Sequence, residues 1–173
     1  MANLDRTGET MAAYNFQLRF VERILNGTKR HTIRATRKRR TKVGETLYLF
    51  TGMRTKKCKR LLEVVCTKVG DIDIFLCPLV FGGYGAGVVI DGEALDESER
   101  ERLAWADGFA SFKAMLDFWE GKLPFHGEII HWNTREALEF QRLVPSARNV
   151  RFVDPGRKLQ NAKSRKAARG GTR

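Results

Sequence analysis

A chain of 173 residues with 42% hydrophobic content is long enough for one domain with its own core. Its 32 Lys and Arg against 20 Asp and Glu leave a net charge of +12, which favours polyanionic partners, nucleic acid above all, through counterion release. No run approaches the roughly 18 consecutive apolar residues of a membrane helix, and Met1 to Ala13 lacks the apolar core of a secretory signal.

Cys58, Cys66 and Cys77 form no CxxC pair and read as reduced packing residues, so a cytoplasmic protein with no membrane partner is expected. Residues 1–12 read as a flexible arm ahead of a domain spanning 13–153. Tyr14 and Phe16 open that domain as a short strand. Leu18, Val21 and Leu25 fall at i, i+3 and i+7, and Phe20 and Ile24 add an i, i+4 pair, predicting a helix of about two turns over Leu18–Asn26. Gly27 stops it, because glycine takes the left-handed C′ conformation without steric cost. The β-branched Thr32 and Ile33 then carry the chain into a strand. Behind them stands the basic run Arg37-Lys38-Arg39-Arg40.

Lys42-Val43-Gly44-Glu45 reads as a turn, Thr46–Phe50 as a strand, Thr51–Lys57 as a basic hairpin tip and Leu61–Thr67 as the returning strand. Gly70–Asp73 predicts another turn. The glycine-rich segment 81–92 matches neither GxGxxG nor GxxxxGK[ST] and reads as an insertion, with a turn at Asp91-Gly92. Ser98 and Glu101 form a capping box for a helix reaching Ala106 or Asp107 and ended by Gly108. Ser111 caps another helix, whose stripe Phe112, Met115, Leu116 and Trp119 reads as core. Pro124–Trp132 predicts the closing strand, and Thr134–Leu143 a last helix. Residues 154–173 read as a disordered basic tail; Gly156–Arg173 holds seven cations and no acid.

The charge is segregated. Lys29 to Arg60 holds 13 cations and the single acid Glu45, while acids gather between Asp91 and Asp107. Candidate phosphate contacts are Lys29, Arg30, Arg34, Arg37, Lys38, Arg39 and Arg40, with Arg54, Lys56 and Lys57 on the hairpin tip. His126 and His131 lie five apart on one predicted strand and so face opposite sides; no metal site is expected and no cofactor is implied. Metal-assisted RNA cleavage, with Asp107 or the Asp91–Asp96 acids as ligands, is a further alternative, though no spacing demands it.

In order, Gly27-x-Lys29-x-x-Thr32-x-Arg34, Gly44-Glu45 before a strand, and Asp107-Gly108-Phe109 before an amphipathic helix resemble the ASCH domain, a branch of the PUA-like superfamily. The resemblance spans about Tyr14–Trp132. It implies an α+β fold, a small β-barrel flanked by helices, with the Gly27–Arg34 corner lining a nucleotide-accepting cleft. It also implies RNA or single-stranded nucleic acid as partner. One branch of that family hydrolyses N4-acetylcytidine with a Lys, a Thr and a Glu. The match places Lys29 and Thr32 on the first two and Asp107, one methylene shorter, on the third, so an acylated nucleoside is the alternative ligand. In that scheme Thr32 attacks, Lys29 takes its proton and Asp107 orients or shuttles.

Overall fold

Apolar residues alternate along Met11–Phe16 so that Ala12, Tyr14 and Phe16 are buried, the period-2 signature of a strand with one covered face. The computed structural model describes residues 11–78 and 84–134. Residues 1–10 of the N-terminal arm, 79–83 of the glycine-rich insertion, the expected helix beyond Thr134 and the basic tail lie outside the described residues. The chain is a mixed α+β protein. Its strands are β1 (Met11–Phe16), β2 (His31–Arg34), β3 (Thr46–Thr51), β4 (Lys59–Pro78), β5 (Tyr84–Ile90), β6 (Glu93–Ala94) and β7 (Phe125–Trp132). Among the described residues three short helices accompany them: α1 (Val21–Leu25), α2 (Glu97–Ala106) and α3 (Phe112–Trp119). None of the described helices is long and apolar enough to cross a membrane.

The seven strands form one sheet, in the order β1-β3-β4-β5-β6, with β7 pairing both β4 and β2. β1 runs parallel to β3; the other pairings are antiparallel. The sheet is not closed into a barrel, because no ladder joins β1 to β2 among the described residues. Side chains bridge that seam instead. Arg34 Nη2 donates to Asn15 O at 2.8 Å, and Arg37 Nη2 donates to Ala13 O at 3.0 Å.

Four local expectations are corrected. The helix over Leu18–Asn26 is a 3-10 turn at Leu18–Phe20 followed by the five residues of α1. Its buried face is Phe20 and Ile24, and Leu18 and Leu25 of the longer stripe point outward. Gly70–Asp73 is no turn but the middle of β4, a single strand of 20 residues. A Cβ at Gly70 would stand 2.7 Å from Asp91 Oδ1, so this glycine admits a neighbour's carboxylate; it does not reverse the chain. Tyr84–Ile90 of the expected insertion is strand β5, with Gly87 lying under the Phe75 ring. Finally, α2 is capped by Asp96, not Ser98: Asp96 Oδ1 accepts from Glu99 N at 2.8 Å and Glu99 Oε2 accepts from Asp96 N at 2.9 Å. Glu101, freed from that role, accepts from Phe112 N at 2.9 Å and ties α2 to α3.

The core runs through the sheet. Leu47, Leu49, Leu62, Ile74 and Ile130 are fully enclosed with Ile24 of α1 and Met115 of α3. Each such aliphatic side chain contributes about 1.5–3 kcal/mol on burial.

Candidate functional site

Lys29 owes its position to the chain reversal after α1. Gly27 has φ of +78°, the left-handed conformation that ends the helix. Thr28 Oγ1 donates to Asn26 Oδ1 at 2.8 Å, and Lys29 N donates to Arg23 O at 2.8 Å. The turn is thereby locked and directs the Lys29 side chain inward, where only 2% of the residue is exposed.

The partner comes from the far end of α2. Gly108, with φ of +95°, lets Phe109 N donate to Ala104 O at 2.9 Å while Gly108 N donates to Trp105 O at 3.0 Å, a Schellman motif. This stop leaves the carbonyl and the carboxylate of Asp107 facing Lys29. Nζ donates to Asp107 O at 2.5 Å and also to Asp107 Oδ1. An ammonium at the negative end of a helix, against a carboxylate, is favourably placed. The Asp-Gly-Phe triplet is therefore a helix stop aimed at a lysine 78 residues earlier. Phe109 packs edge-on against Phe20 at 5.4 Å, which leaves no room for a Cβ at position 108.

Burial lowers the Lys29 pKa, with Arg34 and Arg19 adding to the effect against the opposing pull of Asp107. Burial likewise raises that of Asp107. The two shifts bring the ion pair and its neutral counterpart closer in energy than in water. His31 Nε2 stands 3.5 Å from Asp107 Oδ1 without a hydrogen-bond partner. Burial, then the Lys29 charge, hold the imidazole well below its ordinary pKa, hence neutral.

The pair lines a cleft of about 300 Å³ at the unpaired β1–β2 seam. Thr32 and Arg34 line it too, so the sequence-predicted Lys29, Thr32, Arg34 and Asp107 share one cavity. Arg34 Nε donates to Thr32 Oγ1 at 3.1 Å, which leaves the hydroxyl hydrogen free for another acceptor. The sequence reading missed the aromatic walls: Phe16, Phe20, Phe118, Trp119 and Phe125 line the same cleft, with Lys122 at its edge. Trp119 belongs to the stripe assigned to core, and Phe118 is its unremarked neighbour. Lys122 Nζ and Arg19 Cζ lie 4.5 and 4.8 Å from the Phe118 ring centroid.

The other cations disperse. Arg30 lines a second cleft of about 500 Å³ with His31 and His131. Arg37 stacks over Tyr14 at 4.2 Å. Arg39 reaches Glu45 Oε1 at 2.6 Å, and Arg40 pairs with the buried Glu128 and with Asp71 at 2.5 Å. These two arginines hold the basic run onto the sheet. Lys38, Arg54, Lys56 and Lys57 are exposed. The β3–β4 loop bearing the last three is anchored at the cleft edge, where Met53 N donates to Asn15 Oδ1 at 3.0 Å.

Comparison with protein-family models, curated proteins and solved structures gives no match. What the site can do therefore rests on its own geometry.

Proposed function

We propose that this chain is an ASCH-type, PUA-like module that takes one nucleobase of an RNA or single-stranded nucleic acid into the β1–β2 cleft. The observation that carries the reading is the cleft itself: a cavity of about 300 Å³, walled by aromatic rings, with buried ionisable groups within it. Every base has a π-face for such walls, and its polar edge needs groups that both donate and accept. Arg34 and Lys122 supply cations beside the cavity for the phosphates flanking that base. Arg37, Lys38 and the Arg54, Lys56, Lys57 loop extend the cationic path outward. Arg39 and Arg40, already paired with acids, contribute less.

Competition tests this. A labelled single-stranded RNA is displaced by free cytidine, and Phe118→Ala weakens RNA binding by about tenfold, the effect of losing one stacking partner. RNA binding indifferent to both cytidine and Phe118→Ala would refute it.

A second reading is favoured by Lys29, Thr32 and Asp107 lining one cavity, where burial lowers the Lys29 pKa and raises that of Asp107. Such a pair suits metal-independent hydrolysis of an acyl amide on cytidine. Thr32 Oγ1 attacks the acyl carbon as neutral Lys29 takes the hydroxyl proton. The ammonium then protonates the departing N4, the C–N bond breaks, and an acyl-Thr32 ester remains. Water, activated by the same amine, cleaves the ester and restores Thr32. Arg34, donating to Thr32 Oγ1, stabilises the developing alkoxide. Release of cytidine from N4-acetylcytidine by the wild type and not by Thr32→Val supports this reading; no release by the wild type refutes it.

A further inference from the structure

Adjacent residues of a strand face opposite sides, and β2 uses this at the site. Thr32 lines the front cleft, whereas His31 lines the second cleft of about 500 Å³. The described lining of the two cavities has no residue in common. Asp107 stands between them, with its carboxylate bonded to Lys29 on one side and 3.5 Å from His31 Nε2 on the other. The His31 ring packs 5.2 Å from that of His131, which is only partly buried.

We propose that His31 is the proton exit of the Lys29–Asp107 pair, passing protons to the second cleft while a ligand fills the first. The inference rests on the hydrolytic reading for its purpose. Hydrolysis of an acyl amide on cytidine yields a carboxylate and a neutral aromatic amine at pH 7, so each turnover releases one proton. The carboxylic acid formed beside the amine gives its proton to Lys29: the acid O–H bond breaks as Nζ takes the hydrogen. A nucleoside seated in the front cleft covers the pair from that side, and Lys29 must still return to the neutral amine. Its ammonium gives a proton to Asp107 Oδ1. The Oδ1–H bond breaks as His31 Nε2 accepts that proton, and the bond from Nδ1 to its hydrogen breaks as water in the second cleft accepts the other. Lys29 is left neutral and Asp107 ionised. A flip of the ring returns an unprotonated nitrogen to Asp107.

The charged and titratable groups around His31 suit transit, not storage. Lys29 and Arg30 from its own strand end and His131 from β7 disfavour a lasting imidazolium. Asp107 from the end of α2 favours a passing one, and Glu99 and Arg102 of α2 line the second cleft. The gap of 3.5 Å is longer than a formed hydrogen bond. Protonation of Asp107 turns its carboxyl into a donor, and a small approach closes the contact.

The test reads proton exchange instead of turnover. In uniformly 15N-labelled full-length protein, exchange of the Lys29 Nζ hydrogens with water is measured at pH 7, free and with excess cytidine. His31→Gln slows this exchange by about a hundredfold, the scale of a lost general acid–base group. Imidazole added to His31→Ala restores it, which a purely packing role does not predict. Equal exchange in wild type and a natively folded His31→Gln overturns the proposal. Should neither variant fold, the wild type decides: exchange that continues with cytidine bound supports a rear exit, and exchange that stops overturns it. Failure to deacetylate N4-acetylcytidine would refute the hydrolytic reading alone and leave this measurement intact.

Discussion

Replacing Lys29 by methionine isolates the energetics of the buried pair. Methionine keeps the length and apolar character of the side chain but removes the charge, leaving Asp107, 6% exposed, without its ammonium. A carboxylate stranded in this way takes up a proton. Neutralising a carboxyl of ordinary pKa near 3.9 costs about 4 kcal/mol at pH 7 and about 1.5 kcal/mol at pH 5. The figure at pH 7 agrees with the roughly 3–5 kcal/mol lost when one partner of a buried pair is removed. A carboxyl whose folded pKa lies above its unfolded value destabilises the fold as pH rises past the unfolded value, so the loss is full at neutrality and smallest near pH 4. Losing Lys29 also removes a repulsion that keeps His31 neutral, and an imidazolium can then stand in beside Asp107 as pH falls. Urea unfolding followed by tryptophan fluorescence measures this, with a midpoint shift of about 2 M expected at pH 7. Adding Asp107→Leu to Lys29→Met recovers most of the loss, since an apolar pair needs no compensation. A loss below about 1 kcal/mol at pH 7, or one that is the same at pH 5, would refute the reasoning.

Other outcomes follow from the same geometry. His31 and His131 are both held below the ordinary imidazole pKa by burial. As pH falls below about 6.5 the unfolded chain binds protons that the fold refuses, and stability drops by up to about 1.4 kcal/mol per unit for each; His31→Phe flattens the curve in urea titrations across pH 5–7. Arg40→Ala lowers the melting midpoint because it strands the buried carboxylate of Glu128, whereas Lys38→Ala leaves it unchanged. Neutralising Arg54, Lys56 and Lys57 together reduces the slope of log affinity against log salt for single-stranded RNA by about 2. Burial pushes the Cys66 thiol up to about 11, so a thiol reagent at pH 8 labels exposed Cys58 promptly and Cys66 only on unfolding.

Much of the local punctuation was legible because it depends on neighbouring residues alone. Gly27 ends α1, Asp91-Gly92 turns β5 into β6 with both residues at positive φ, and Ser111 caps α3 by accepting from Ala114 N at 3.2 Å. The grouping of Lys29, Thr32, Arg34 and Asp107 was legible only through an ordered motif, since no local rule links positions 78 apart. What failed was decided by distant partners. Gly70 resembles a turn until Asp91 is seen against it. Asp96 and Ser98 both begin an acid-at-N3 box, and Phe112 settles the choice by taking Glu101. The run Arg37–Arg40 looks like one phosphate-binding surface, yet Glu45 and Glu128 claim half of it. The aromatic walls escaped notice because a residue that lines a cavity carries the same periodicity as one that fills a core.

The 20 residues of β4 serve three neighbours: its first third pairs with β3, its middle with β7, and its last third with β5. A strand of this length spans about 65 Å. Neither part of the sheet owns it. Detaching β3 strips the partner from one end of the strand that supports β7 and β5 at the other, so loss of order in one part propagates to the rest. The sheet is thus expected to come apart as one cooperative unit, with slow assembly imposed by pairings that bridge distant stretches of chain. Amide exchange along β4 should converge on a single global free energy, not divide into separate values for its two ends.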